Sequence, residues 1–418
     1  MYAGLTREFI AAIPKSDLHV HLDGSLRLET LIELAAEQGV ALPSQTPEGL
    51  LETVFKKTYA NLPDYLRGFM YTCAVLTTPA SLTRVARELV EDALAEGVRY
   101  LEVRFAPQLH VRDGFTMVDV LRAVDDGLAE AARAHNLTDA VRQGRDLPCC
   151  YGIIACAMRT FSRHMGPYFE RLIALLPETP RRELVAIASE QAARAAVTAR
   201  DREGLPIVGF DLAGEEAGYP AAYHKVAYQY AHSHFMRKTV HAGEAYGPES
   251  IFQAITECHA NRIGHGTFLF ATQMIQDPLI QDPAAYVEAL AEYIAGQRIA
   301  IEVCLTSNQQ TIPGFADLSR HPVRQMLKHN LSLTLCTDNR LVSRTSVTHE
   351  LELLASTIPI TRYQFRNAII AGFKGSFFPG SYNEKRTYVR AVRQRYDALA
   401  AELLPPLDIP EEDDGEQL

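Results

Sequence analysis

Short apolar runs separated by helical pattern recur eight times along this chain, and that alternation narrows its possible folds more than any other feature. The runs are 16–22, 98–105, 150–158, 207–214, 238–244, 261–266, 299–308 and 331–339. Most are hydrophobic on both faces, as strands are when helices cover both sides of a parallel sheet. Eight such units in 418 residues predict an α/β fold, a (β/α)8 barrel with additions beyond the ~250 residues the barrel itself needs.

The largest addition follows the first strand. A helix is expected over about 26–38, with Ser25 placed to cap it and Gly39 to stop it. Residues 50–79 then carry Val54, Phe55, Tyr59, Leu62, Tyr65, Phe69, Met70 and Tyr71 at helix-like spacing. This aromatic stripe reads first as core packing and second as a cover over a site. One domain is expected over 1–400, and the acidic, Pro-rich segment 401–418 is expected to be disordered.

In such a barrel, catalytic groups sit at the carboxyl ends of the strands. The unusual polar residues fall there: His19 and His21, Asp211, His241 and Glu244, His265, Ser307 and Asn308, Asp338 and Asn339. Within SDLHVHLDG, His19 and His21 stand at i and i+2, so on a strand both imidazoles leave one face and can meet one cation at about 2.0–2.1 Å. Taken singly, each histidine also reads as a satisfied core residue and each acid as a solvated one. As a set confined to strand ends, they are hard to explain as packing.

His19, His21, His241 and Asp338 supply four ligands and, with a water, a five-coordinate zinc able to lower that water's pKa toward about 7. Glu244 in HAGE sits beside the metal without ligating it and suits a general acid or base. His265 is placed to hold the attacking hydroxide.

Composition removes other classes. A formal charge of −10 gives no support to a nucleic-acid surface, and no apolar run reaches the ~18 residues that span a bilayer. The N-terminus MYAGLTREF is too polar for a signal peptide. Seven cysteines, odd in number and without a CxxC pattern, suit a reducing compartment, so a cytoplasmic location is expected.

The segments HVHLDGSL, LEVRFAP, GFDLAGEE, HAGE, RIGHGT, EVCLTSN and LCTDN occur in the order and spacing of the adenosine deaminase family of the amidohydrolase superfamily. The chain resembles that family over roughly residues 10–395. The resemblance implies a zinc-dependent hydrolase of purine salvage that converts adenosine, and 2′-deoxyadenosine, to inosine and ammonia. Its partner is a small-molecule purine nucleoside. By resemblance, His19, His21, His241 and Asp338 are the zinc ligands, Glu244 protonates purine N1, and His265 orients the attacking hydroxide. Gly214 meets N3 through its backbone N–H, Asp23 bonds the ribose 5′-hydroxyl, and Asn339 faces N7.

Two positions refine this. Members acting on free adenine tend to carry Glu where this chain has Asp23, so Asp23 favours a nucleoside. The best-known members carry Asp where this chain has Asn339, and an amide donates to N7 without needing protonation. IVGFDLAG lacks the lysine that bridges two metals in related enzymes, which implies one Zn2+ per chain. The alternatives are a 5′-modified substrate such as aminodeoxyfutalosine, an N6-substituted purine, or a lapsed relative that only binds. The intact set His19, His21, Glu244, His265 and Asp338 stands against the last.

Overall fold

The computed structural model describes residues 1–406, and among them the eight strands form one parallel sheet in the order β1 to β8. They are β1 (Lys15–His21), β2 (Val98–Phe105), β3 (Cys150–Met158), β4 (Ile207–Ala213), β5 (Arg237–Ala242), β6 (Arg262–His265), β7 (Ala300–Val303) and β8 (Leu333–Leu335). Closure comes from the segment just after β8. Asp338 N–H donates to the His19 carbonyl at 2.8 Å, and the Asp338 carbonyl accepts from His21 N–H at 2.7 Å. The chain is thus a (β/α)8 barrel joined to its first strand at the site end.

The helices begin where the sequence offers caps. Thr78 and Thr116 form capping boxes ahead of helices Pro79–Ala95 and Met117–Asn136, and the two helices pack together. The first buries Leu82, Val85, Leu89 and Val90, each such aliphatic contributing about 1.5–3 kcal/mol. No helix among the described residues is long and apolar enough to cross a membrane.

Several expectations are corrected. β7 stops at Val303, and Ser307 and Asn308 lie on a helix, Leu305–Thr311, that starts directly after it. The apolar run continues across this junction, so hydrophobicity alone hid the change from strand to helix. β8 keeps only three residues, because after Cys336, whose N–H still donates to the Val303 carbonyl at 2.9 Å, the chain leaves β7 and joins β1 at Asp338. Ser25 caps no helix: Arg27 holds the N-cap position of Leu28–Gln38, and the Ser25 hydroxyl accepts the Arg340 N–H at 3.0 Å. The insertion is three short helices, Pro47–Thr53, Leu62–Leu66 and Phe69–Val75, two of them opened by a side-chain cap followed by proline. The C-terminal helix Tyr382–Leu403 runs into the segment expected to be disordered, whose remainder from 407 lies outside the described residues.

Candidate active site

Four side chains converge where β1, β5 and the segment after β8 meet. His21 Nε2 and His241 Nε2 are 3.1 Å apart, and Asp338 Oδ1 lies 3.5 Å from Nε2 of both His19 and His21. The ligand atoms of His19, His21, His241 and Asp338 all fall within 4.8 Å of one another, and all four residues are buried. A tetrahedron around a cation bonded at about 2.05 Å has edges of about 3.3 Å, so the three close spacings fit shared ligation. His19 Nε2 has no hydrogen-bond partner among the described residues, a costly state for a buried nitrogen. Burial also holds His21 well below the usual histidine range, leaving the neutral ring a ligand requires. The donor set fits a metal ion.

A layer of buried charges beneath the histidines fixes their rings. His19 Nδ1 lies 2.8 Å from Glu302 Oε2, and His241 Nδ1 lies 3.0 Å from Asp211 Oδ2. Glu302 draws the His19 ring proton to Nδ1 and turns its Nε2 lone pair inward, the usual outer-shell arrangement of a metal-ligating histidine, while Asp211 meets His241 Nδ1 as a close charge contact. Arg104 bridges the two acids, reaching Asp211 at 2.8 Å and Glu302 at 2.8 Å, and Arg262 Nε meets the other Glu302 oxygen at 2.6 Å. Glu302 also accepts from Thr239 Oγ1 at 3.0 Å. A charge so far from water persists only with partners of this quality, and stripping one partner typically costs about 3–5 kcal/mol. Together the arginines and the ring hold the Glu302 carboxyl well below the usual range against the opposing effect of burial.

Glu244 and His265 face the same space. His265 Nε2 is 3.7 Å from Glu244 Oε1. Burial, reinforced by the Asp338 charge, pushes the Glu244 carboxyl up to about 8, which favours its protonated form at neutral pH. His265 and Asp338 both carry left-handed backbone, at φ 65° and 60°, uncommon for non-glycine residues and frequent at functional sites.

The tautomer of His265 follows from its neighbours. Val323 N–H donates to His321 Nδ1 at 3.1 Å, so the His321 proton is on Nε2, which lies 3.1 Å from Asn308 Oδ1. Thr267 Oγ1 donates to the same oxygen at 3.1 Å. The Asn308 amino group therefore points to His265 Nδ1, 3.4 Å away, and the His265 proton sits on Nε2, facing the cluster.

Glu216, on the loop after β4, holds the turn that carries Glu244. Its Oε2 accepts the N–H groups of Glu244, Ala245 and Tyr246 at 2.9, 2.7 and 3.1 Å. Its Oε1 accepts Gly243 N–H at 2.9 Å and the Ser250 hydroxyl.

Above the cluster lies a cavity of about 540 Å³, bordered by His21, Asp23, Gly214, Glu244, His265, Asp338 and Asn339. Leu62, Tyr65, Leu66, Phe69 and Met70 of the insertion form its cover. Both readings of the aromatic stripe hold, since Phe55, Tyr59 and Tyr65 are buried in the core. Burial pushes the Asp23 carboxyl up to about 7, with the Cys73 thiol 3.8 Å from Oδ2. Gly214 stands at φ 99°, backbone that favours glycine and brings the main chain to the cavity.

The family model described as adenosine deaminase matches residues 14–394. This chain belongs to the adenosine deaminase family. A family relative, the adenosine deaminase of Mycolicibacterium vanbaalenii, is 35% identical over 96% of this chain and 99% of its own. Adenosine deaminase 1 of Streptomyces coelicolor is 34% identical over 94% and 90%. Among solved structures, an Arabidopsis N6-mAMP deaminase superposes with a TM-score of 0.69 at 25% identity, covering 94% of this chain and 99% of that one.

Every family position expected at the site borders the cavity or the cluster, whereas Ser307 and Asn308 lie behind it on a helix, from which Asn308 meets His265. Glu302, Arg104 and Glu216 were missed, and Asp211 lies within β4 beneath His241 as its partner. A charged residue inside an otherwise apolar strand was the available signal for Glu302 and Arg104. For Glu216, whose partners are backbone N–H groups, the sequence carries none.

Proposed function

We propose that this protein catalyses the hydrolytic deamination of adenosine, and of 2′-deoxyadenosine, to inosine and ammonia with one zinc ion held by His19, His21, His241 and Asp338. The observation that carries the reading is a buried carboxyl, Glu244, facing the four-ligand cluster across one cavity. When bound, zinc supplies Lewis acidity that lowers the pKa of water toward about 7, giving a nucleophile at neutral pH.

The chain's own groups do the rest. Glu244 donates its proton toward purine N1, which draws electrons from C6 and opens it to attack. His265 offers its Nε2–H to the incoming oxygen and aligns it on C6. Gly214 N–H meets N3, Asn339 donates to N7, and Asp23 takes the ribose 5′-hydroxyl. As C6 gains the oxygen, one water proton restores Glu244 and the other passes to the amino group, the C6–N bond breaks and ammonia leaves, so one water is consumed for each nucleoside.

Asp23 favours a nucleoside over a nucleotide, because a 5′-phosphate would set its charge beside a buried carboxyl. Arg112 at the rim is engaged through Nη1 with the carbonyls of Leu109 and Val111 at 3.1 and 2.8 Å. Seven free cysteines among the described residues support a reducing, cytoplasmic setting.

The test is an ultraviolet assay of the purified protein on adenosine, 2′-deoxyadenosine, adenine, AMP, N6-methyladenosine and aminodeoxyfutalosine, with metal analysis of the same sample. Adenosine and 2′-deoxyadenosine should turn over fastest with zinc near one per chain. A higher kcat/KM on another substrate, or full activity without metal, would refute the reading.

A further inference from the structure

The amide of Asn339, at the cavity wall, is tied to the cover. Its Nδ2 donates to the Tyr65 hydroxyl at 2.7 Å, and that hydroxyl lies 2.7 Å from Ser343 Oγ. All three residues are buried. The Tyr65 hydroxyl accepts from the amide, and between Tyr65 and Ser343 either hydroxyl can be the donor. On the opposite side, the amide oxygen lies against Gly24, where a Cβ would stand only 1.8 Å from Oδ1. One amide N–H is therefore engaged by Tyr65, the oxygen is turned to Gly24, and the second N–H remains.

Tyr65 belongs to the five-residue helix Leu62–Leu66, far too short to be stable by itself. What holds this part of the insertion is the segment after β8. Tyr59 OH donates to the Val342 carbonyl at 3.0 Å, Tyr59 N–H donates to the Gln310 carbonyl at 3.1 Å, and Gln310 Nε2 donates to the Ser343 carbonyl at 3.0 Å. Cover and cavity wall are one hydrogen-bonded unit.

We propose that Tyr65 is a positioning residue for base recognition: its hydroxyl holds the Asn339 amide so that the remaining N–H meets purine N7, which makes the cover part of the reading of the base. This rests on the adenine-nucleoside function proposed above. Without the phenol oxygen, the amide is free to turn and present its own oxygen to N7, acceptor against acceptor.

Tyr65→Phe keeps the ring and removes only the hydroxyl. Adenosine is compared with 7-deazaadenosine, which has no acceptor at that position, as substrate or, where turnover is too slow, as competitive inhibitor. In Tyr65→Phe, kcat/KM on adenosine should fall roughly five- to fiftyfold, the scale of one hydrogen bond lost at a buried acceptor. The constant for 7-deazaadenosine should barely move, so discrimination between the two shrinks. Asn339→Ala should lose the same discrimination, and Tyr65→Phe added to it should cost nothing more, because both act through one contact. Equal losses on both nucleosides would mean that Tyr65 only packs, and an unchanged constant on adenosine would mean that the amide needs no holder. Either result overturns the proposal. A wild type inactive on every adenine nucleoside would instead overturn the proposed function, and this inference with it.

Discussion

Glu216 offers the sharpest test of how the Glu244 turn is built. Its carboxylate accepts four backbone N–H groups and one hydroxyl, three through Oε2 and two through Oε1. Glu216→Gln keeps the shape but leaves a single acceptor oxygen. With that oxygen in the Oε2 place, the N–H groups of residues 244–246 stay satisfied. The Ser250 hydroxyl can then turn to accept from the new amino group, so only Gly243 N–H is stranded, at about 1–3 kcal/mol of stability. Glu216→Ala strips all five partners, and with water refilling part of the space the loss should be about 3–5 kcal/mol, the upper end for one substitution. Glu244 would move with its turn, and a shift of about 1 Å in a reacting group lowers turnover by roughly 10²-fold. His241 is held separately, by β5 and Asp211, so metal should stay. Thermal unfolding, kcat on adenosine and metal content of the two variants check this. An alanine variant with kcat within about twofold of wild type would refute the reasoning.

Three further outcomes are expected. Glu244→Gln should keep metal and lose about 10²–10⁴ in kcat; because the acid works with its proton on, wild-type kcat/KM should hold at lower pH and fall as pH rises through about 8, a limb the Gln variant should lack. Asn308→Asp replaces a donor with an acceptor and should move the His265 proton from Nε2 to Nδ1, lowering kcat; ring ¹⁵N shifts unchanged from wild type would count against the assigned tautomer. Asp23→Ala should weaken adenosine by about 1.5–3 kcal/mol and leave slow adenine turnover as it was, whereas equal loss on both would make Asp23 structural.

The barrel was legible in the sequence, and so was the convergence of His19, His21, His241 and Asp338 at its site end. Those features are encoded locally: the period-two spacing of His19 and His21 aims both rings one way on any strand, and eight apolar runs between helices have few ways to bury both faces. Strand lengths after β5 were not legible, because where β7 stops depends on backbone partners supplied by β6 and β8 rather than on its own apolar run. The partnerships that orient the site were hidden for the same reason. Glu302 reaches His19 across 283 positions of chain, Asn339 reaches Tyr65 across 274, and Glu216 serves N–H groups that every residue but proline possesses. A carboxylate's pairing, a histidine's tautomer and the sense of an amide are properties of neighbours in space. Only closure of the barrel brings those neighbours within 3 Å of one another.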